Sequence, residues 1–96
     1  MPTPEGAVKR KITAVLKSTP GVYYYMPVPS GYGNTSLDYI GCYMGRFFAI
    51  EAKAPTKKPT DRQLNTIKDM QRAFARVFVI DGDLTELKHW LKSNEA

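Results

Sequence analysis

Apolar residues recur at helical spacing in three stretches of the chain, and β-prone runs occupy the segments between them. Thr3 can cap a first helix that has Pro4 in its first position. Thr60 opens a second helix through a capping box with Gln63, and Asp83 caps a third. The predicted strands cover residues 22–26, 36–43, 46–53 and 77–80. The order helix, three strands, helix, strand, helix predicts a mixed α/β domain.

Each predicted helix has one apolar face that would pack against the sheet. These faces consist of Val8, Ile12, Val15 and Leu16, then Leu64, Ile67, Met70 and Phe74, and finally Leu84, Leu87, Trp90 and Leu91. The apolar runs 47–50 and 77–80 predict two buried strands, the first of them central in the sheet. Cys42 is expected to be a small buried side chain.

The composition fits one domain that spans residues 1–96. The chain is 43% hydrophobic and has one Cys and one His, which excludes an internal disulfide, a structural zinc site and a redox CxxC pair. No apolar run approaches the ~20 residues of a membrane-spanning helix. We therefore expect no membrane segment, and a reducing cytoplasm is the expected location.

The charge balance is basic, with 14 Lys and Arg against 9 Asp and Glu, a net charge of +5. The basic excess lies in residues 1–18 and 46–76. Such a charge suggests a polyanionic partner such as nucleic acid. The alternative is that it only keeps a small domain soluble.

Two carboxylates meet in the predicted hairpin. With Met44 and Gly45 as its loop, Asp38 lies opposite Glu51, and opposed Cβ atoms are ~5 Å apart. A two-residue loop requires a positive φ at Met44, which is unfavourable for methionine. The alternative is a three-residue loop, which would shift the pairing by one residue but keep the two carboxylates neighbours. Alternation along the strand places Lys53 on the same face as Glu51.

Opposed carboxylates destabilise a sheet unless a cation neutralises them or one takes a proton. Oxygen ligands alone are what Mg²⁺ or Mn²⁺ prefers, and the Ala52 carbonyl is a further candidate ligand. The alternative is a solvated hairpin in which Glu51 pairs only with a lysine.

Glu5 lies near the buried face of the first helix and either reaches this site or complements the helix dipole. Gln63 likewise belongs to the capping box, or contacts the site or a phosphate.

The candidate site residues follow one order along the chain: a helix with Glu5, then Asp38, then Glu51-Ala52-Lys53, and then Gln63. This order resembles that of the PD-(D/E)XK nuclease superfamily. Within it the chain is most similar to the small stand-alone phage form of the virus-type replication-repair nuclease (VRR-NUC) family. The resemblance runs from Glu5 to about Ile80 and implies the restriction-endonuclease-like αβββαβ core plus a C-terminal helix, a mixed sheet flanked by helices. One position departs, because Leu37 stands where the family commonly has proline.

The resemblance implies that Asp38 and Glu51 bind the metal and that Lys53 positions the attacking water. Glu5 would contact the metal through a water, and Gln63 would be the glutamine of the following helix. The implied activity is Mg²⁺- or Mn²⁺-dependent, structure-specific cleavage of DNA, with resolution of four-way (Holliday) junctions by a homodimer. If the protein is viral, its location would be the host cytoplasm.

Basic and aromatic side chains complete the predicted DNA interface. The predicted phosphate-binding residues are Lys9, Arg10, Lys11, Lys57, Lys58 and Arg62. The tyrosines available to stack on unpaired bases, or else to form core or a dimer interface, are Tyr23, Tyr24, Tyr25 and Tyr32. Two alternatives remain open: a nuclease that cuts flaps, nicks or ordinary duplex, and a non-catalytic basic DNA-binding module.

Overall fold

The computed structural model describes residues 3–28 and 36–93, and within them it contains three helices and four strands. The elements in chain order are α1 (Pro4–Ser18), β1 (Val22–Tyr25), β2 (Tyr39–Tyr43), β3 (Arg46–Ala52), α2 (Asp61–Arg72), β4 (Arg76–Ile80) and α3 (Thr85–Ser93). This order confirms the predicted mixed α/β domain. Strands β2 and β3 are shorter than predicted, so Asp38 immediately precedes one and Lys53 immediately follows the other. Tyr32 lies outside the described residues.

The four strands form one mixed sheet in the order β1-β2-β3-β4. Strand β2 is antiparallel to β1 and to β3, whereas β3 and β4 are parallel and are connected through α2. Helices α1 and α3 bury one face of the sheet, with Ile12, Leu87 and Phe48 inaccessible to solvent. Helix α2 covers part of the other face through Ile67, which packs near Ala49. Both faces of β3 are therefore buried at its centre, as its apolar run predicts.

The helix starts follow the predicted capping chemistry. The Thr3 hydroxyl accepts a 2.9 Å hydrogen bond from the Gly6 N–H. The Thr60 hydroxyl and the Gln63 side chain each accept the other residue's backbone N–H, which completes the capping box. Asp83 accepts the Thr85 N–H at 2.9 Å at the start of α3. These side chains satisfy amide donors that have no partner within the helices.

The hairpin loop contains two residues, and its register is the predicted one. Tyr43 pairs with Arg46 and Tyr39 with Ile50. Met44 has φ +52° and Gly45 has φ +80°, so both adopt the left-handed region that a tight hairpin turn of this length requires. Met44 is an uncommon residue there, and the pairing of β2 with β3 holds it in that conformation.

Several side chains predicted to be buried are exposed. Phe74 of the predicted α2 face is 96% exposed, because α2 ends at Arg72 and the helical spacing does not extend to Phe74. Leu64 is 40% exposed although it lies inside α2. Cys42 is exposed as well, and Phe47 is 46% exposed. Alternation places these two residues on the α2 side of the sheet, beyond the part that α2 covers.

Val79 on β4 is also 46% exposed, whereas Val77, Phe78 and Ile80 are buried, so the run 77–80 is buried except at Val79. Strand β4 lies at one edge of the sheet, and Val77, on the same face as Val79, is buried in the cluster that includes Ile67 of α2. In the parts of the chain that the structure describes, no helix is long and apolar enough to cross a membrane.

Candidate metal-binding and catalytic site

Asp38 and Glu51 face each other where the β2–β3 hairpin opens, at the carboxyl end of β3. The Asp38 N–H donates to Glu51 Oε1 at 3.3 Å, and the Ala52 N–H donates to Asp38 Oδ2 at 2.9 Å. Glu51 is 3% exposed, whereas a quarter of the Asp38 side chain is accessible to solvent. The predicted register therefore places one buried and one accessible carboxylate side by side.

Lys53 extends the site along β3. Its ammonium Nζ lies 3.9 Å from Glu51 Oε2, and its side chain is 13% exposed. Its backbone N–H donates to the Ile80 carbonyl at 2.9 Å, which fixes the residue beside the end of β4. The Lys53 ammonium is thus held on the same face of the sheet as Glu51, as strand alternation predicts.

Gln63 serves the helix cap and the site at the same time. Its Oε1 accepts the Thr60 N–H at 2.9 Å, and its Nε2 donates to Glu51 Oε2 at 2.7 Å. The capping bond fixes which end of the amide faces the cap, so the N–H₂ group is directed at the carboxylate. Gln63 therefore both caps α2 and contacts the site, which are the two roles that the sequence leaves open for it.

Lys9 joins the carboxylates of two different elements, a role that the sequence interpretation missed. Its Nζ lies 3.6 Å from Glu5 Oε2 and 3.7 Å from Asp38 Oδ1. Glu5 is therefore brought beside the site through an ion pair, in addition to its place in the first turn of α1. The i, i+4 spacing of Glu5 and Lys9 was the available signal, because such pairs commonly interact on helices.

Tyr39 is a second residue that sequence reasoning missed. Its hydroxyl donates to the Lys9 carbonyl at 2.9 Å and shares a 2.8 Å hydrogen bond with Thr13 Oγ1. The side chain is fully buried, and burial raises the pKa of its phenol. This contact attaches α1 to the first residue of β2 and so sets the distance between Lys9 and Asp38.

The electrostatics of the pair are dominated by the burial of Glu51. Burial raises the pKa of its carboxyl to about 7, and the nearby Asp38 charge acts in the same direction. Lys53 and the Asp38 N–H lower that pKa but do not compensate for burial. A cation placed between the two carboxylates would relieve this cost, because opposite charge favours the ionised form.

The raised pKa predicts a stability that falls as pH rises. Below pH 4.5, the ordinary pKa, Glu51 is protonated in both states; between pH 4.5 and about 7 only the folded chain retains the proton. The free energy of unfolding should therefore decrease across this window, by up to about 3 kcal/mol in total. Urea unfolding in EDTA at pH 5 and pH 8 measures the change, with Glu51→Gln as the reference. Equal changes in both proteins would contradict the prediction.

The remaining predicted DNA contacts lie on the surface, outside this cluster. Arg10 and Lys11 are exposed on α1, Lys57 and Lys58 are exposed in the segment between β3 and α2, and Arg62 is exposed on α2. Of the tyrosines, Tyr24 is half-buried, whereas Tyr23 and Tyr25 are 72% and 53% exposed. These last two side chains are therefore not part of the core.

Among residues 3–28 and 36–93, no three His, Cys, Asp or Glu side chains form a group that could hold a metal ion. The protein donors available at the site are thus the two carboxylates and nearby backbone oxygens. Comparison of the chain with protein-family models, curated proteins and solved structures finds no match. The nuclease interpretation therefore depends on the site residues and their geometry.

Proposed function

We propose that the protein is a divalent-metal-dependent, structure-specific DNA endonuclease that resolves four-way junctions as a homodimer. The observation that carries this proposal is the opposed Asp38–Glu51 pair with Lys53 on the same face. A buried carboxylate beside a second carboxylate is unfavourable for folding, so its presence favours a functional reason. The helix–strand order and the mixed sheet are compatible with the PD-(D/E)XK core to which we assign the chain.

The donor set fits a magnesium-type ion. Mg²⁺ keeps several waters and is bound through one or two carboxylates together with substrate phosphates, so Asp38 and Glu51 suffice as side-chain ligands. In an antiparallel pair the N–H and C=O groups of one residue face the same neighbouring strand. Because the Ala52 N–H faces Asp38, the Ala52 carbonyl faces the same side and is the proposed third oxygen.

A bound ion of this kind would activate a water at neutral pH and stabilise charge on the phosphoryl oxygens. The chain's own residues prepare the site for that chemistry. Gln63 holds the Glu51 carboxylate in one orientation, and Lys53 presents its ammonium on the face where negative charge would develop. Lys9 holds Asp38 and Glu5 in place, so we propose that Glu5 contributes through water rather than as a direct ligand.

The homodimer is proposed because junction resolution takes two symmetric cuts, and residues 3–28 and 36–93 offer one such carboxylate pair. A two-fold dimer supplies the second cut. The exposed basic residues on α1, on α2 and between β3 and α2 would bind phosphates without reading sequence. We propose the cytoplasm as the location, since the single, exposed Cys42 needs no oxidising compartment.

A cleavage panel tests the proposed activity. Four-way junction, flap, single-stranded and linear duplex DNA are incubated with the protein and Mg²⁺ or Mn²⁺, with EDTA as control. We expect paired symmetric nicks on the junction and a solution mass of two chains. Cleavage of flaps or duplex instead would favour the first alternative. DNA binding without cleavage under either ion would favour the non-catalytic module and overturn the proposal.

A further inference from the structure

A cleft separate from the Asp38–Glu51 site lies at the other end of β3, beside its first residues. Its volume is about 470 Å³, within the range of ligand pockets in proteins. Its walls carry two arginines and three aromatic side chains, namely Arg46, Arg76, Phe47, Phe74 and Trp90. We refer to these five residues as the aromatic–arginine cleft. It shares no residue with the Asp38–Glu51 site.

Phe74 is the most unusual residue of this cleft. Its side chain is 96% exposed, and its φ of +68° is a conformation that favours glycine or asparagine. The residue directly follows the C-cap of α2, where glycine would be the ordinary choice. A large exposed ring in a strained backbone position gains nothing from the fold and indicates a contact outside the chain.

The charges of the cleft favour an anionic occupant. Arg46 forms no ion pair with any described residue, and no acidic side chain lines the described cleft. Arg76 is held in place by Glu86, whose Oε1 accepts its N–H at 2.7 Å, and by the Phe78 ring 4.5 Å away. A second copy of this basic chain is a poorer match for two arginines than a polyanion is.

We propose that the aromatic–arginine cleft binds an unpaired nucleotide of a branched DNA, by stacking its base and pairing its phosphate with arginine. Bases stack on exposed aromatic rings regardless of sequence, and arginine binds phosphate through paired N–H donors. This proposal rests on the proposed DNA-directed function. The strand rise places Arg46 about 16 Å from Glu51, which is about five base steps of DNA. One branched substrate can therefore reach both sites.

Binding measured without divalent ions tests the cleft separately from catalysis. The probes are a labelled duplex with a single-stranded thymidine arm and the matching blunt duplex. Wild-type protein should prefer the armed probe. Phe74→Gly should lower the affinity for the armed probe about tenfold and leave the blunt duplex unchanged. Phe74→Tyr keeps the ring and should keep the preference.

Two further readouts make the result decisive. Phe74→Gly should raise the unfolding temperature, because glycine adopts a positive φ without strain, so weaker binding would not reflect unfolding. Trp90 is the chain's single tryptophan and lines the cleft, so the armed probe should change its fluorescence.

Unchanged affinity of Phe74→Gly for the armed probe would overturn the proposal. A loss of dimer mass with unchanged DNA binding would also overturn it and identify a protein interface instead. Arm preference and metal-dependent cleavage are separate measurements. A protein that prefers the arm but cuts nothing would contradict the nuclease alone.

Discussion

Glu51→Gln should lower metal-dependent DNA cleavage by on the order of a thousandfold, since a ligand contributes several kcal/mol of charge stabilisation. The substitution keeps the size of the side chain and an oxygen that can accept the Gln63 N–H₂ group. It removes the negative charge that we propose holds the ion. At pH 8 the variant should be at least as stable as wild type, because the wild-type carboxyl, with a pKa of about 7, is ionised while buried, whereas the glutamine amide carries no charge.

Single-turnover cleavage of the junction with Mg²⁺ measures this effect, and circular dichroism with urea unfolding checks the fold. Asp69→Asn is the matched control, because it makes the same kind of chemical change on an exposed residue of α2. It should retain cleavage within about twofold, as is usual for surface substitutions. A Glu51→Gln protein that cuts at the wild-type rate would show that the carboxylate pair is structural.

Gly41→Ala should destabilise the fold by about 3 kcal/mol, as is typical of overpacking in a filled core. A Cβ at this position would lie 2.5 Å from the Tyr23 carbonyl oxygen and 2.5 Å from Phe48 Cζ. The first of these atoms is backbone of the neighbouring strand, and the second belongs to a fully buried ring. Neither can move without separating β1 from β2 or displacing the core.

Thermal unfolding measures the change, and for a domain of this size we expect a decrease in Tm of about 15 °C. Cys42→Ala is the control on the adjacent position of β2, where the side chain is exposed. Its Tm should stay within a few degrees of wild type, since surface substitutions change stability by about 0.5 kcal/mol or less. A Gly41→Ala protein as stable as this control would contradict the close strand approach.

The site could be predicted in part because its central pair depends on one local pattern. Asp38 and Glu51 are 13 residues apart and meet through a two-residue loop and strand alternation, which are readable from sequence. The burial of Glu51 could be anticipated from the apolar run before it. The orientation of the Gln63 amide could not, because capping and site contact use opposite ends of one group.

Residues that depend on contacts between distant elements could not be predicted. The sequence predicts phosphate binding for Lys9, yet Lys9 pairs with Asp38 because Tyr39, 30 residues away, attaches α1 to β2. Phe74 continues the apolar spacing of α2, but the helix ends before it and the ring is exposed. Periodicity indicates which face of an element is apolar and does not indicate how far a neighbour covers it.

The sequence by itself determined the element order, the helix caps and the proximity of Asp38 and Glu51, which both possible hairpin loops preserve. Each of these depends on interactions within a few residues or on the two-residue period of a strand. The tertiary structure alone decided the place of Lys9, the exposure of Phe74 and Cys42, and the existence of the aromatic–arginine cleft. These depend on packing between elements far apart in the chain, where small differences in helix length and coverage change which side chains meet.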